Sequence, residues 1–247
     1  MKVLSYNILH GGVGRAGRIA AVIRDAAPDL VLLQEATSPA VVAELARETG
    51  LAVWGAQARH STAFLSRAPV ASHRWLRPRG ARHPFLEVVL GDGVSRAFGL
   101  HLSAWFSKWS ERRRARELRL LLESVREHQH GFHLLAGDFN ALAPGERLEP
   151  WRMPRWIQAM IWVSGRDIAR DTIQLMLDSG YVDAWRLSHP ANPGHTFPTW
   201  DPHVRLDYVF LPARYAERIA TVQILTDATQ AKDASDHYPL LAVIADA

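Results

Sequence analysis

The segment LLAGDFNAL, residues 134–142, joins an apolar run to an aspartate and an asparagine. Buried strands are apolar, and a carboxylate is almost never buried without a partner. We therefore expect Asp138 and Asn140 where a strand leaves the core and presents polar groups to water or a ligand. Gly137, directly before them, has no side chain and leaves room for a close approach of the backbone.

Polar residues of the same kinds end several other apolar runs. The set has four carboxylates, two amides and two histidines: Asn7, Glu35, His101, Asp138, Asn140, Asp207, Asp236 and His237. Ligands gather at strand ends, because the backbone is fixed there while water and substrate can enter. Each of these residues alone is more often a turn, cap or structural residue. If the strand ends converge, the ordered set predicts one pocket able to bind a cation and move protons.

The elements that would carry these residues are short strands and fewer helices. Apolar and β-branched runs predict strands over 2–8, 30–34, 51–55, 62–66, 85–90, 95–102, 132–137, 205–211, 220–225 and 239–245. Helical spacing predicts helices over 16–26, 39–49 and 109–129, with Ser110 as the cap of the last. Strands do not alternate with helices one for one, which argues against a simple doubly wound sheet. Two sheets packed face to face, with helices outside, satisfy the count.

Composition predicts one soluble domain over residues 1–247. Of these residues, 48% are hydrophobic, and no apolar run is long enough to span a membrane. The absence of cysteine excludes disulfides and thiolate chemistry, and it fits a cytoplasmic protein. The net charge of +4 is almost entirely arginine, since only three residues are lysine: Lys2, Lys108 and Lys232. Arginine suits bidentate phosphate contacts, although an arginine-biased genome would give the same composition.

The segment 143–180 differs in amino-acid composition from the rest of the chain. It carries Trp151, Trp156 and Trp162, and its prolines end at residue 154, so a helix is predicted within 154–179. We interpret it as a Trp-rich helical insertion, hereafter the Trp-rich segment, over one end of the domain. Its aromatic side chains either dock a helix on the core or form a lid or a surface that contacts substrate.

In chain order the strand-end motifs read SYN, LQE, GLHL, GDFN, RLDY and SDH. This ordered set resembles the endonuclease/exonuclease/phosphatase superfamily, which includes deoxyribonuclease I-like enzymes. The likeness runs from Val3 to Leu241, with further similar stretches FLSRAPV at 64–70 and HPANPGHTFPTW at 189–200. The resemblance implies an α+β fold, a four-layer α/β/β/α sandwich of two packed mixed sheets flanked by helices. It places the site at one edge of the paired sheets.

The resemblance also implies metal-dependent hydrolysis of a phosphate ester. A phosphodiester is anionic and repels hydroxide, so the site needs a cation and an activated water. Carboxylates are the hard oxygen ligands that Mg²⁺ or Mn²⁺ prefers, and Glu35, Asp236 and Asn7 are the expected ligands. Asp138 is expected to orient and deprotonate the attacking water.

The remaining residues, with Asn7, are expected to contact the phosphate. Asn140 would share the face of the catalytic aspartate in an extended backbone and bind water or phosphate without adding charge. His237 would donate to a phosphate oxygen, while Asp207 would hold its ring and favour its protonated form. His101 is the second expected donor, near the leaving group.

Two positions depart from the exonuclease III-like branch of the superfamily. That branch has an acid two residues after the first asparagine, where this chain has Leu9, and a tyrosine near the place of His101. The histidine is similar to the deoxyribonuclease I, sphingomyelinase and inositol-phosphatase branches. These departures argue against abasic-site repair.

Three functions stay open. A nuclease is supported by the arginine-rich segment ERRRARELR at 111–119, which is either a solvated helix face or a phosphate-contacting one. A hydrolase of phospholipid, inositol phosphate or another small phosphate ester is supported by the Trp-rich segment, since tryptophan favours membrane interfaces. A non-catalytic binding module is the third, and the complete motif set argues against it. No obligate protein partner is indicated.

Overall fold

The computed structural model describes residues 1–104, 107–128, 131–163, 168–228 and 230–245. Two mixed six-stranded sheets pack face to face, with helices on both outer surfaces. This architecture confirms the predicted four-layer α/β/β/α sandwich.

The strands carry the edge at which the polar residues lie. In the described part of the chain they are β1 (Lys2–Asn7), β2 (Leu30–Gln34), β3 (Val53–Gly55), β4 (Thr62–Ser66), β5 (Val70–Leu76), β6 (Phe85–Leu90), β7 (Arg96–His101), β8 (His133–Asp138), β9 (Tyr181–Asp183), β10 (Asp207–Pro212), β11 (Ile219–Ile224) and β12 (Leu240–Ile244). The first sheet has the order β11–β12–β1–β2–β4–β3, and the second has the order β5–β6–β7–β8–β10–β9. β1 is parallel to β2 and β7 is parallel to β8, so the carboxyl ends of each central pair meet at one edge.

The helices form the two outer layers. They are α1 (Ala16–Ala26), α2 (Pro39–Thr49), α3 (Lys108–Ser124), α4 (Arg155–Val163), α5 (Asp171–Asp178), α6 (Ala184–Ser188) and α7 (Ala231–Ala234). α1 and α2 cover the first sheet, while α3 and α5 cover the second. Among the described residues, no helix has the length and apolar character needed to cross a membrane.

Apolar side chains pack on the outer face of the first sheet and between the two sheets. Ile19 of α1 and Leu45 of α2 pack on the outer face of the first sheet. Between the sheets, Leu32 and Phe64 of the first pack against Leu134 of the second. All five of these side chains have 0% exposure, so their transfer from water contributes about 1.5–3 kcal/mol each.

β5 and the start of α3 differ from the predictions. β5 lies at a sheet edge and residues 71–74 are exposed, so the alternation that signals a strand is absent from its sequence. α3 begins one residue earlier than predicted, and the Ser107 hydroxyl accepts the Ser110 N–H at 3.1 Å. The prediction of Ser110 as the cap is therefore wrong. α3 also ends before the predicted bound, residue 129, which lies outside the described residues.

The Trp-rich segment contains α4 and α5, as predicted, and its residues 164–167 lie outside the described part of the chain. α4 docks through Ile161, which is buried together with Leu206, directly before β10. Docking by the tryptophans is wrong, because their exposed fractions are large: Trp151 71%, Trp156 55% and Trp162 63%. Aliphatic side chains fix this segment, and its indoles face outward.

Candidate active site

Strand register brings three of the predicted residues together in the second sheet. His101 ends β7 opposite Asp138 of the parallel β8, and Asp207 begins β10 opposite the same aspartate. Neighbouring strands are about 5 Å apart, so the three side chains occupy adjacent positions at one edge.

Gly137 allows the close approach of β7 and β8 on which this arrangement depends. Its φ is +153°, and a Cβ atom at this position would lie 2.0 Å from the carbonyl oxygen of Leu100. No side chain can be accommodated against a backbone atom at that distance. The backbones therefore pack directly, one residue before His101 and Asp138.

Asn7 ties this edge to the first sheet. It ends β1 beside Gln34 of the parallel β2, so that Glu35 follows at the same edge. The Asn7 Nδ2 atom donates to Asp138 Oδ2 at 3.1 Å and to Glu35 Oε1 at 3.4 Å. Asn7 is 1% exposed, so water does not compete for these bonds. Candidate residues of both sheets thus form one connected site.

Glu35 lies where the chain turns away from β2. Its φ of 55° is left-handed, and its Oε2 atom accepts the His10 N–H at 2.7 Å. Burial raises the pKa of Glu35, but the His10 N–H, the imidazoles of His101 and His237 and the Asn7 amide outweigh burial and leave it below its ordinary value. The side chain is 26% exposed. Glu35 is therefore ionised at neutral pH and accessible from solvent, as a cation ligand must be.

Asp138 is the buried centre of the site. Its Oδ1 atom accepts the Asn140 N–H at 2.8 Å, and its Oδ2 atom lies 3.8 Å from His101 Nε2 and 3.9 Å from His237 Nε2. Burial raises the pKa of Asp138 to about 7, because the favourable charge of His237 is offset by the neighbouring Asp207. A carboxylate with this pKa can both accept and release a proton near neutral pH.

His237 is paired with Asp207. Its Nδ1 atom lies 2.8 Å from Asp207 Oδ2, and Phe197 packs against the ring with centroids 4.8 Å apart. Burial alone would lower the pKa of His237, but the charge and hydrogen bond of Asp207, helped by Asp138, raise it to about 10. The imidazole is therefore protonated at neutral pH and keeps Nε2–H directed toward Asp138.

His101 has a different environment. Its ring stacks on His83 with centroids 5.4 Å apart and an interplanar angle of 12°, and its buried Nδ1 atom has no hydrogen-bond partner among the described residues. Burial lowers the pKa of His101 to about 4, and the charge of Glu35 only partly compensates. His101 is thus neutral at pH 7. It can donate one N–H hydrogen bond but does not carry a positive charge.

Asn140 does not continue an extended strand, so the predicted reason for its orientation is wrong. Its φ is 50°, and its backbone N–H bonds the Asp138 carboxylate two residues earlier, which forms an Asx-type turn. Its Nδ2 atom donates to the Leu102 carbonyl oxygen at 3.1 Å. The turn brings Asn140 to the same site as Asp138 by a different route. Its amide oxygen is the group left for water or phosphate.

Asp236 lies on the side of Glu35. The preceding Ser235 donates its hydroxyl to the Asn7 carbonyl oxygen at 2.6 Å, which fixes this segment beside β1. Burial raises the pKa of Asp236, with the charge of His237 acting against the increase and the charge of Glu35 adding to it. A cation bound by both carboxylates would relieve this repulsion between Glu35 and Asp236.

These carboxylates suit a hard divalent cation. Among the described residues, no set of three or more histidine, aspartate or glutamate side chains is arranged as a metal cage. Mg²⁺ keeps several waters and binds through one or two carboxylates, so Glu35 and Asp236 fit it without such a cage. Asn7 directs its nitrogen at Glu35, and its Oδ1 atom accepts the Leu9 N–H at 3.0 Å. The metal role predicted for Asn7 therefore depends on the second lone pair of that oxygen.

Two residues of α3, Glu117 and Arg114, hold the segment after His101, and the sequence motifs did not indicate them. Glu117 is 1% exposed and accepts the Ser103 hydroxyl at 3.1 Å and the Arg82 N–H at 2.9 Å. Arg114 is 0% exposed and donates to the Ser103 carbonyl oxygen at 2.9 Å. The sequence signal was acidic residues among arginines on one helix, but only tertiary contacts show which of them are buried.

Comparisons with known proteins identify the family and the fold of this chain. A family model described as "Endonuclease/Exonuclease/phosphatase family" matches residues 4–237. A search of curated protein sequences finds no match. The chain is similar in structure to the 3′ phosphatase NExo from Neisseria, solved with a product DNA hairpin, with a TM-score of 0.73, 18% identity and 99% of each chain covered.

Two further solved structures are similar. An AP endonuclease from Archaeoglobus fulgidus gives a TM-score of 0.71 at 19% identity over 99% of each chain. An endonuclease/exonuclease/phosphatase from Beutenbergia cavernae gives 0.69 at 22% identity, with 100% of this chain and 72% of that chain covered. At these identities the structures establish a shared fold. Because the family model spans nearly the whole sequence, this chain belongs to the endonuclease/exonuclease/phosphatase family.

Proposed function

We propose that this protein is a divalent-metal-dependent phosphodiester hydrolase and that its substrate is nucleic acid. The observation that carries the proposal is the position of Asp138. Its Oδ2 atom lies within 4 Å of two imidazoles and is joined through Asn7 to Glu35 of the opposite sheet. A base, a cationic donor and a cation ligand thus face one space, which is what hydrolysis of an anionic ester requires.

Glu35 and Asp236 would hold Mg²⁺ or Mn²⁺. When bound, the cation supplies positive charge against the charge that builds on the phosphate in the transition state. Asn7 positions Glu35 for this role, because its Nδ2 atom fixes one carboxylate oxygen while the His10 N–H fixes the other.

Asp138 would take the proton of the attacking water. Its pKa of about 7, raised by burial, makes it a stronger base than an exposed aspartate while leaving a large ionised fraction at neutral pH. Asn140 would orient that water or the phosphate through its amide oxygen. The Asn140 N–H binds Oδ1 of Asp138 and the Asn7 amide binds Oδ2. The proton would go to the remaining lone pair of Oδ2, which is the oxygen near the two imidazoles.

The two histidines would serve the phosphate differently. His237, protonated and held by Asp207, would donate Nε2–H to a non-bridging oxygen and stabilise its charge. His101, neutral and stacked on His83, would donate a hydrogen bond on the other side of Asp138, near the leaving oxygen. The pair thus combines one charged donor with one neutral donor.

A nucleic-acid substrate is supported by the relatives and by charge. One structural relative was solved with a product DNA hairpin, and another is an AP endonuclease. The net charge of +4 favours a polyanion, and 26 of the 29 basic residues are arginine, after the three lysines are subtracted. Arginine forms bidentate contacts with phosphate more readily than lysine does.

A phospholipid substrate is the second candidate, and the exposed indoles favour it. Trp151, Trp156 and Trp162 of the Trp-rich segment are exposed, as is Trp200 at 72%. Trp200 contacts Phe197, which packs on His237, so this indole borders the site. Tryptophan is enriched at membrane interfaces. Co-sedimentation with choline-bearing or anionic vesicles, followed by release of the phosphorylated headgroup, would favour this candidate.

The test is a substrate panel with and without metal. Plasmid DNA, RNA, sphingomyelin, inositol phosphates and bis-p-nitrophenyl phosphate are incubated with Mg²⁺, Mn²⁺ or chelator. We expect hydrolysis of DNA or RNA and of bis-p-nitrophenyl phosphate, abolished by chelator and by Asp138→Asn or His237→Ala. If both variants keep the wild-type activity, that activity comes from a contaminant and the protein is a non-catalytic binding module. Failure to cleave any nucleic acid with either metal would exclude the nuclease.

A further inference from the structure

A basic surface lies beside His101, formed by the loop between β5 and β6 and by helix α3. Seven arginines of these two elements are exposed: Arg77, Arg79, Arg82, Arg112, Arg113, Arg116 and Arg119. Among the nearby acidic residues, Glu117 contacts one arginine of this surface, Arg113, at 3.5 Å. Glu111 and Glu117 of α3 are 0% and 1% exposed and are used inside the protein. Up to Arg119, the exposed charge of α3 therefore has one sign.

The loop is fixed relative to the catalytic site. Its His83 ring stacks on His101, and the Arg82 N–H donates to Glu117, which also binds the segment after His101. Arg113 Nε lies 3.5 Å from the same Glu117 carboxylate, and Arg77 donates to the Arg82 carbonyl oxygen at 3.3 Å. These contacts place the three arginines at the loop that carries His83, and their positive charges act, after burial, to lower the pKa of His83. We call Arg77, Arg82 and Arg113 the arginine rim.

The rim guanidinium groups are available to a ligand. Arg113 is 51% exposed and has one carboxylate contact, with Glu117 at 3.5 Å. Arg77 donates to the Arg82 carbonyl oxygen at 3.3 Å. Within the described residues, the Arg82 side chain has no ion-pair partner. A guanidinium carries five N–H donors, so each of the three keeps several for an anion.

We propose that the arginine rim binds backbone phosphates of the nucleic-acid strand that flank the scissile phosphate on the His101 side. This inference rests on the proposed function and specifies where a polymeric substrate runs. A membrane surface fits the rim less well, because an interfacial helix inserts a broad apolar face. The apolar residues of α3 face the core, and Trp109 is its one large apolar side chain among those exposed in the described structure.

Two double variants, each of which replaces two arginines by uncharged glutamines, test the rim. Arg77→Gln/Arg82→Gln is compared with Arg47→Gln/Arg67→Gln, which removes the same charge from α2 and from the segment after β4, outside the basic surface. The readouts are kcat/KM on an oligonucleotide and on bis-p-nitrophenyl phosphate, each from 50 to 200 mM salt. The small ester has no flanking phosphates and therefore reports on the catalytic residues alone.

We expect the rim variant to lose about tenfold more activity on the oligonucleotide than on the small ester. Each phosphate contact contributes about 0.7–0.9 to the slope of log kcat/KM against log salt, so the slope should flatten by about 1.5. Arg77→Lys/Arg82→Lys should restore most of the slope, because the charge is kept. The control variant should match the wild type on both substrates.

Each alternative outcome has a separate meaning. Equal behaviour of the rim and control variants, or equal losses on the two substrates, would overturn the proposal. Loss of binding to anionic vesicles without a selective loss on the oligonucleotide would also overturn it and would assign the rim to a membrane. If the wild type hydrolyses neither substrate with metal present, the proposed function itself fails, and this result is distinguishable from failure of the rim.

Discussion

Asp207→Asn should change the pH range over which the enzyme is active. The substitution keeps an oxygen that can accept the His237 Nδ1–H, which is now 2.8 Å away, but it removes the negative charge. The pKa of His237 is about 10, against an ordinary value of 6.5. That difference corresponds to about 5 kcal/mol in favour of the protonated imidazole, as an upper bound.

The expected fall in the pKa of His237 follows from the part of its increase that the charge of Asp207 contributes. An opposite charge at this distance accounts for roughly one to three pKa units, so the variant pKa should fall to about 7–9. In the proposed mechanism the active form is the protonated one, so activity should decline as pH rises through this lower value. With a pKa of about 7–9, we expect less than about a twofold loss at pH 6.5 and a loss of about 2- to 100-fold at pH 9, the larger loss for the lower pKa.

The assay is kcat/KM on bis-p-nitrophenyl phosphate from pH 5 to 10 at constant ionic strength. Asp233→Asn, an exposed substitution on α7 with the same charge change, is the matched control. Urea unfolding gives a second readout. A raised folded-state pKa contributes stability that is complete below pH 6.5 and is lost as pH rises toward 10, so this pH dependence should be smaller in the variant. Superimposable pH profiles for wild type and Asp207→Asn would refute the reasoning.

Three further substitutions test other parts of the site. Asp138→Asn should lower kcat by roughly 100- to 10,000-fold without lowering the melting temperature at pH 8, because it removes a carboxylate whose ionisation is disfavoured by burial; a marked loss of stability would contradict this. Glu35→Gln should raise the Mn²⁺ concentration for half-maximal activity by about tenfold or more, since it removes one charged ligand; an unchanged titration would exclude Glu35 as a ligand. Gly137→Ala should destabilise the fold by about 3 kcal/mol or more, because its Cβ would meet the Leu100 carbonyl oxygen at 2.0 Å. Gly145→Ala, with open space around the new Cβ, should cost only about 1–2 kcal/mol for its left-handed φ, and equal urea midpoints for the two would refute the packing argument.

The residues of the candidate site could be found from the sequence because they interrupt apolar runs. Asp138 is the last residue of β8 and Asp207 is the first residue of β10. The other residues of both strands are buried and mostly apolar, so each aspartate stands out in the sequence. Their mutual contact depends on which strands are adjacent, and the family resemblance supplied that topology. The catalytic, metal-binding and substrate-binding roles of these residues remain predictions.

Other features left no local signal. β9 and α6 have three and five residues, too few for a hydrophobic period to appear. The left-handed φ of Asn140 comes from its bond to Asp138 and from tertiary contacts, so an extended backbone was the wrong expectation. His83 is a single histidine in a loop, and its contact with His101 exists only because β6 lies beside β7.

Asn7 makes the spacing of the two sheets a property of the catalytic centre. The Asn7 Nδ2 atom donates a hydrogen bond to Asp138 of one sheet at 3.1 Å and to Glu35, which follows a strand of the other sheet, at 3.4 Å. A ligand that draws Glu35 and Asp138 together therefore adds its binding free energy to the association of the sheets rather than to either sheet alone. By the same linkage, a slip of one layer over the other would separate the proposed base, Asp138, from the proposed cation ligand, Glu35, while every strand stayed paired. In the proposed mechanism activity therefore depends on the register between the layers and should disappear before secondary structure does.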